Sequence, residues 1–291
     1  WDRAGAALSS LVRGYAEGER MEEANSWRNP VDLVAILERA FDSIRGALEA
    51  GRGPIAPWNG RETLAGVILG DDPQAIADSM LSALREGCAP DQLGETVAYA
   101  AAMRIARFHT SNEFGDWDTA HHSFTFSNAV HQSLRRAPSC ELLRGAFDAA
   151  MSVYLDRFLN VPAAKLPHLN GDSRAAQDLL VELPSLLDRQ QQVNQAGALV
   201  AEFLANDGDD RALIAAMGAA MLREDRDFHT IQDFEAAVRQ YSILGRNPDG
   251  ARVLIATARY MAAHAPTARA QGQTFRIAQR LHRGDRVFEG D

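Results

Sequence analysis

Apolar residues along this chain recur at spacings of three and four, which is the period of amphipathic α-helices, and no stretch alternates as a β-strand would. Alanine, leucine, arginine, glutamate and glutamine dominate, and these residues favour helices. We therefore expect an all-α multi-helix bundle that forms a single domain over residues 1–291. The predicted helices are Ala4–Met21, Pro30–Ala50, Glu62–Leu69, Pro73–Glu86, Pro90–Phe108, Asp118–Arg135, Glu141–Leu159, Arg174–Arg189, Gln195–Asn206, Asp210–Arg223, Thr230–Leu244, Asp249–His264 and Ala268–Arg283.

Prolines and capping residues mark several of the predicted helix starts. Asn29-Pro30, Asp72-Pro73 and Asn247-Pro248 each combine a side chain that caps a helix with a proline suited to its first turn. The stretch Gly51–Gly60 contains two prolines and is predicted to be a loop.

A seven-residue motif occurs twice in the chain. Residues 108–114 are F-H-T-S-N-E-F, and residues 228–234 are F-H-T-I-Q-D-F, so four of the seven positions are identical. The similarity continues downstream, where A-V-H-Q at 129–132 matches A-V-R-Q at 237–240.

A third match follows in the same order, with Tyr154 and the segment N-V-P-A-A aligned to Tyr260 and the segment H-A-P-T-A. Ordered matches of this kind favour an internal duplication over chance. We therefore predict a pseudo-twofold arrangement, with repeat 1 at about 90–165 and repeat 2 at about 210–269.

Each copy of the motif pairs a histidine with a carboxylate four residues later, His109 with Glu113 and His229 with Asp233. On a helix this spacing puts both side chains on one face. The carboxylate is then either a ligand itself or the acceptor that orients the imidazole toward a metal ion. The alternative interpretation is a local pair that only caps a helix.

Further histidines are candidate ligands near the repeated motif. His122 shares a helical stripe with apolar residues, so we expect its side chain to face the core, although His121 and His131 are alternatives. Imidazole-rich sites suit iron, copper, zinc or nickel. The predicted metal ligands are His109, His122, His229 and His264.

Charge and cysteine content exclude several classes of protein. The net charge is −9 with acidic and basic residues interspersed, which argues against nucleic acid or an anionic membrane as the main partner. No apolar run approaches the ~20 residues of a membrane span, and no signal peptide is recognisable. Cys88 and Cys140 each stand alone, so a thiolate zinc site or an iron–sulfur cluster is not expected, and a cytoplasmic location is favoured over a disulfide.

One basic residue differs from all the others. Of 30 basic residues only Lys165 is a lysine. A genome that has replaced lysine by arginine would explain this composition. Alternatively, Lys165 performs chemistry that arginine cannot, because a buried lysine can lose its proton and act as a nucleophile or form a carbamate.

The run F-H-T-S-N-E-F-G-D-W-D at 108–118, followed by His121-His122, resembles an all-helical bacterial family related to questin-oxidase-like proteins. Such helical regions also occur beside Rieske-type ferredoxin domains. The likeness covers about residues 90–285 and extends to D-F-H-T at 227–230, A-H-A-P-T at 263–267 and R-L-H-R-G at 280–284.

This resemblance implies a mononuclear non-haem iron site that uses O₂ to oxidise a small aromatic or polyketide-like substrate. Independently of the resemblance, we expect catalytic roles for Glu113 and Asp233, the carboxylates of the repeated motif, and for Lys165, the single lysine. The chain has no Rieske cluster ligands, so a ferredoxin-type electron donor would be a separate domain or protein. The alternatives are a helical interaction module that docks a Rieske-type ferredoxin, and a zinc-dependent hydrolase.

Overall fold

The computed structural model describes Gly5 and residues 31–53, 57–170, 174–225 and 227–285. Within these residues the regular structure is entirely helical, which confirms the all-α prediction. Apart from Gly5, the predicted helix Ala4–Met21 lies outside the described residues. The helices are α1 (Leu33–Ala50), α2 (Arg61–Ile68), α3 (Pro73–Arg85), α4 (Pro90–Ala106), α5 (Phe114–Arg136), α6 (Cys140–Leu155), a 3₁₀ helix (Asp156–Asn160), α7 (Ala176–Leu187), α8 (Val193–Ala205), α9 (Asp210–Arg223), α10 (Phe228–Leu244), α11 (Pro248–His264) and α12 (Gln271–His282).

Helix starts follow from side chains that satisfy the free N–H groups of the first turn. Asp72 accepts a hydrogen bond from the Ala75 amide at 3.0 Å, and Ser139 accepts one from the Leu142 amide at 3.1 Å. Proline at the first position of α3, α4 and α11 costs no hydrogen bond there, as the sequence predicted.

Helix α5 starts earlier than its apolar pattern predicted, at Phe114 instead of Asp118. The Glu113 amide donates to Asp116 Oδ2 at 2.9 Å, half of a capping box, and this bond stabilises the first turn of the helix. Consequently His109 precedes the helix, and the expectation that His109 and Glu113 share a helical face is wrong.

The core is built around α4 and α11, whose side chains are buried almost from end to end. Helix α4 packs against α2, α5, α6 and α11, whereas α11 also packs against α8 and α10. Many of the buried residues are alanines, which permit close helix contacts. At Gly94 an added Cβ would lie 3.0 Å from the His131 Cα, so α4 and α5 touch there through their backbones.

Two buried arginines join this core to the segments beside it. Arg104 donates from Nε to the Val153 carbonyl at 2.9 Å and from an Nη to Asn160 at 3.2 Å. Arg259 donates to the Phe108 carbonyl at 2.6 Å and to Asn194 at 2.7 Å. Burial lowers the pKa of each guanidinium to about 10.

Helices α5, α10 and α11 contact one another pairwise and carry the residues of the candidate site. None of the described helices combines the length and the apolar composition that a membrane span would need.

Candidate functional site

Three histidine rings from two helices form a cluster. His121 and His122 lie on α5, and His229 lies in the first turn of α10. The ring centroids of His121 and His229 are 5.3 Å apart, those of His122 and His229 are 4.9 Å apart, and those of His121 and His122 are 5.4 Å apart. The three rings therefore form a nearly equilateral triangle, which we call the histidine triangle.

His121 is the buried corner of the histidine triangle, with no exposed side-chain surface. Its Nδ1 lies 3.6 Å from Oδ1 of Asp233, which is longer than a hydrogen bond. Thr257 on α11 donates to the other carboxylate oxygen of Asp233 at 2.7 Å. Among the described residues, neither ring nitrogen of His121 nor Oδ1 of Asp233 has a hydrogen-bond partner.

Unpaired buried polar atoms are costly, because each loses its hydrogen bonds to water, about 1–3 kcal/mol for a neutral group. Buried polar groups in folded proteins are nearly always paired, so the exceptions call for an explanation such as an ion or a functional role. Here the unpaired atoms are two imidazole nitrogens and a carboxylate oxygen, all of which are metal donors. The buried end of the cluster therefore has the chemistry of a cation site.

Tyr260 and Asp118 form the second layer beside the histidine triangle. The Tyr260 ring stacks on His121 with centroids 5.2 Å apart, and its hydroxyl donates to Asp118 Oδ1 at 2.8 Å. The same carboxylate oxygen lies 3.4 Å from Nε2 of His264, whose Nδ1 is 2.8 Å from the Tyr260 carbonyl. His264 thus neighbours the triangle through Tyr260 and Asp118.

The open side of the histidine triangle faces solvent. Asp227 caps α10 by accepting from the Thr230 amide at 3.1 Å, and its other oxygen lies 3.1 Å from Nδ1 of His229. The neighbouring Phe228 ring lies 3.9 Å from that of His229, although its side chain is 62% exposed. A ligand could therefore approach the cluster from the side of His122 and Phe228.

Electrostatics favour the neutral imidazole at His122. Desolvation by the surrounding residues, followed by the proximity of His121 and His229, lowers the pKa of His122 below its ordinary value. Burial, together with the hydrogen bond to Asp118, raises the pKa of Tyr260 far above the usual range of a phenol. At neutral pH His122 thus offers a lone pair, and Tyr260 is a hydrogen-bond donor instead of a phenolate.

A small cavity of about 60 Å³ lies beside the second layer. His264, Asp227 and Thr230 contribute to its wall near the site, and Met261 and Leu187 contribute apolar surface. Its volume suits one or two water molecules or a diatomic gas and is too small for an aromatic substrate. A larger substrate would have to use the open side of the triangle.

The histidine triangle fits a metal ion in spacing. An ion bonded at about 2.0–2.1 Å to one nitrogen of each of three imidazoles in tetrahedral geometry sets the ring centroids about 5 Å apart. As the side chains stand, no group of three or more His, Cys, Asp or Glu residues in the described chain has its donor atoms gathered around one point. The rings would have to rotate about χ2, a torsion with a broad minimum, to bring their nitrogens together.

The structure separates the predicted site residues. His229 and Asp233 lie on one face of α10, as predicted, but His229 pairs with Asp227 while Asp233 faces His121. Ser111 is the hydrogen-bond partner of His109, at 2.8 Å, and in the described residues none of the ring contacts involves His109.

Glu113 and Lys165 are both exposed and outside the cluster's contacts among the described residues. Glu113 is the N-cap residue of α5, and Lys165 lies in the loop that follows the 3₁₀ helix. A nucleophilic or carbamylated lysine needs burial to lose its charge, and the structure provides none for Lys165.

The expectation that His122 faces the core is wrong, because its side chain is exposed and His121 is the buried residue. The stripe that α5 buries runs through Trp117, His121, Phe124 and Asn128. That spacing is visible in the sequence, and the apolar residues Trp117 and Phe124 in it could have identified His121. His131 continues the stripe, but it contacts Gln240 at 3.2 Å, away from the triangle.

Comparisons with known proteins add no relative: no family model, curated protein or solved structure matches the chain. The resemblance to questin-oxidase-like proteins therefore rests on the sequence motifs alone.

Proposed function

We propose that the protein binds one metal ion through His121, His122 and His229 and is a metal-dependent oxidoreductase. The observation that carries the proposal is His121, a fully buried imidazole whose two nitrogens have no partner in the described chain. Two further imidazoles lie within 5.4 Å of it, ring to ring. A set of imidazoles of this kind suits iron, zinc, copper or nickel.

Asp233 is the positioning residue of this site. Metal-bound histidines commonly donate their second N–H to a carboxylate, which fixes the tautomer and the ring orientation. A modest rotation of His121 would shorten its 3.6 Å approach to Asp233 to a hydrogen bond, while Thr257 holds the carboxylate at 2.7 Å. His121 Nε2 would then be the atom that binds the ion.

Iron is the ion we propose first, with zinc as the alternative. Bound iron would supply the activation of O₂ for oxidation of a small aromatic or polyketide-like substrate, the reaction class implied by the questin-oxidase-like resemblance. The chain's own residues would bind and orient the reactants: the exposed Phe228 and His122 border the approach, and Tyr260 offers a hydroxyl proton to Asp118.

We also propose that the site lies at the junction of two duplicated units, one from α4 to α6 and one from α9 to α11. His121 stands eight residues before the A-V-H-Q segment, and His229 stands eight residues before A-V-R-Q. Counted back from these two segments, His121 and His229 hold the same helical position, whereas the F-H-T motif aligns His229 with His109. The rings of His121 and His229 lie 5.3 Å apart.

The test is elemental analysis of protein purified without chelators or a histidine tag. We expect near-stoichiometric metal in the wild type and its loss in His121→Ala and His229→Ala. His131→Ala is the matched control, because His131 is also a buried histidine of α5 but contacts Gln240 instead of the cluster. His109→Ala tests the motif-based ligand set and should retain the metal.

The identity of the ion decides between reactions. Iron would justify an O₂-uptake screen with aromatic substrates, whereas zinc would favour the hydrolase. Absence of metal from the wild-type protein, or the same metal content in all four variants, would refute the metal site. The result would then favour the alternative function, a helical module that docks a ferredoxin-type partner.

A further inference from the structure

The small cavity beside the second layer has a mostly apolar wall. Its buried apolar side chains come from α7, α9, α11 and the residue after α11: Leu187, Ala220, Met221, Met261 and Ala265. The thioethers of two methionines are polarizable and gain dispersion energy with any apolar molecule that touches them. The wall therefore offers contacts to a small apolar guest.

The carboxylates at the cavity are already engaged. Glu224 accepts from the Thr267 amide and hydroxyl at 2.8 and 2.9 Å, and it accepts from Arg269 at 2.8 Å. The two oxygens of Asp225 accept from two backbone amides at the start of α12, at 2.8 and 3.0 Å. A buried water typically needs about three hydrogen bonds to otherwise unsatisfied groups. Because these groups are satisfied by the protein, the cavity suits an apolar gas better than water.

The cavity adjoins the residues around the histidine triangle. Its wall includes His264, whose ring centroid lies 4.2 Å from that of Tyr260, and Tyr260 in turn stacks on His121. The wall also includes Asp227, which contacts Nδ1 of His229 at 3.1 Å. A molecule in the cavity is thus one layer of side chains away from the triangle.

We propose that this cavity binds an apolar diatomic gas, which is O₂ in the reaction of the proposed oxidoreductase. A dry cavity that holds benzene has a volume of about 150 Å³, whereas this one has about 60 Å³, so it admits O₂ and excludes an aromatic molecule. The aromatic substrate needs the open side of the triangle and leaves the cavity to the gas. The role of O₂ rests on the proposed function, but gas binding depends only on the cavity.

Methionine methyl groups report on the cavity in solution. The test is NMR of the whole chain, isotope-labelled at the methionine methyl groups and equilibrated first with N₂ and then with O₂. Because O₂ is paramagnetic, a bound molecule speeds the relaxation of methyl groups beside it. We expect the increase at Met221 and Met261 to be several-fold larger than at Met80, which is also buried but lies on α3. Xenon, which enters dry apolar cavities, should compete with O₂.

Filling the cavity should abolish this response. Ala220→Val adds two methyl groups at the wall, and Ala265→Val does the same from extended backbone that accepts a β-branched side chain. Each change should reduce the effect of O₂ on the two cavity methionines to its effect on the control methionine. The matched control is Ala216→Val, the same change one turn earlier on α9 and outside the cavity wall, which should keep the wild-type response.

Repeating the NMR measurement after chelation separates this proposal from the metal site, because a gas in the cavity needs no ion. An unchanged O₂ effect in metal-free protein supports the gas site even if the metal site fails. Equal relaxation increases at the cavity methionines and Met80, or an O₂ effect that both filling variants keep, would overturn the proposal. Magnetisation transfer from water to the methyl groups of Met221 and Met261, without an O₂ effect, would show a water-filled cavity and would overturn it as well.

Discussion

Single residues set the chemistry of this protein through burial. His121 and His122 are adjacent in the chain, yet α5 buries one and exposes the other, because successive helical residues point about 100° apart. The buried ring lacks partners for both nitrogens among the described residues. Asp156 is another residue whose properties come from burial, since it accepts from Ser123 at 2.6 Å inside the protein.

We predict that Asp156 makes stability fall as pH rises. Burial raises its pKa from 3.8 to about 7, although the bond from Ser123 and the charge of Arg104 act in the opposite direction. Below pH 4 Asp156 holds its proton in both the folded and the unfolded chain, so its contribution to the free energy of unfolding is fully present there. Between pH 4 and 7 the unfolded chain releases the proton first, and up to about 4 kcal/mol of unfolding free energy is lost.

Urea denaturation at a series of pH values measures this contribution as the difference between the wild type and Asp156→Asn. As the pH rises to 7, the free energy of unfolding of the variant should increase steadily relative to that of the wild type. Above pH 7 the difference should stay constant. A difference that does not change with pH would show that Asp156 is ionised in the folded protein.

At the scale of elements, the central contacts depend on small side chains. Helices α4 and α5 meet at Gly94, where a methyl group would approach the His131 backbone within 3.0 Å. Both helices lie beside the site, since α5 carries two of the three clustered histidines and α4 packs against α5 and α11. The packing of α4 against α5 therefore helps to place the helix that carries His121 and His122.

We expect Gly94→Ala to destabilise the protein by about 1–3 kcal/mol, because the added methyl group must push two buried helices apart. Gly66→Ala is the matched control: Gly66 is also a helical glycine, on α2, but nothing lies within 4 Å of its added Cβ. That change should stabilise by up to about 1 kcal/mol through helix propensity. Equal effects in denaturant titrations would contradict the close packing at Gly94.

At the scale of the whole molecule, the proposed ion would link α5 to α10. A ligand that binds only the folded chain stabilises it, by about 2.7 kcal/mol at 100 times its Kd. The three imidazoles come from two helices, and His121 and His229 are 108 residues apart in the sequence. Removing the ion should therefore loosen the association of the two repeat units.

We predict that a chelator lowers the Tm of the wild type by about 5 °C, the shift expected for a loss of that size in a chain of this length. His229→Ala should have the lower Tm from the start and should not respond to the chelator. Scanning calorimetry with and without chelator provides the comparison. The same response in both proteins would indicate a metal bound elsewhere or none.

The sequence alone determined the helices, because apolar spacing, alanine content and proline caps act locally. Helix α9 has the predicted bounds, Asp210–Arg223, and α5 differs only where polar residues form its capping box. Which histidine is buried depended on the tertiary structure, since α5 has two possible apolar faces and the packing of α4, α10 and α11 selects one. The pairing of Asp233 with His121, instead of with its neighbour His229, likewise follows from the contact between α5 and α10. Local periodicity cannot specify such contacts, because they join parts of the chain that meet only when the core is packed.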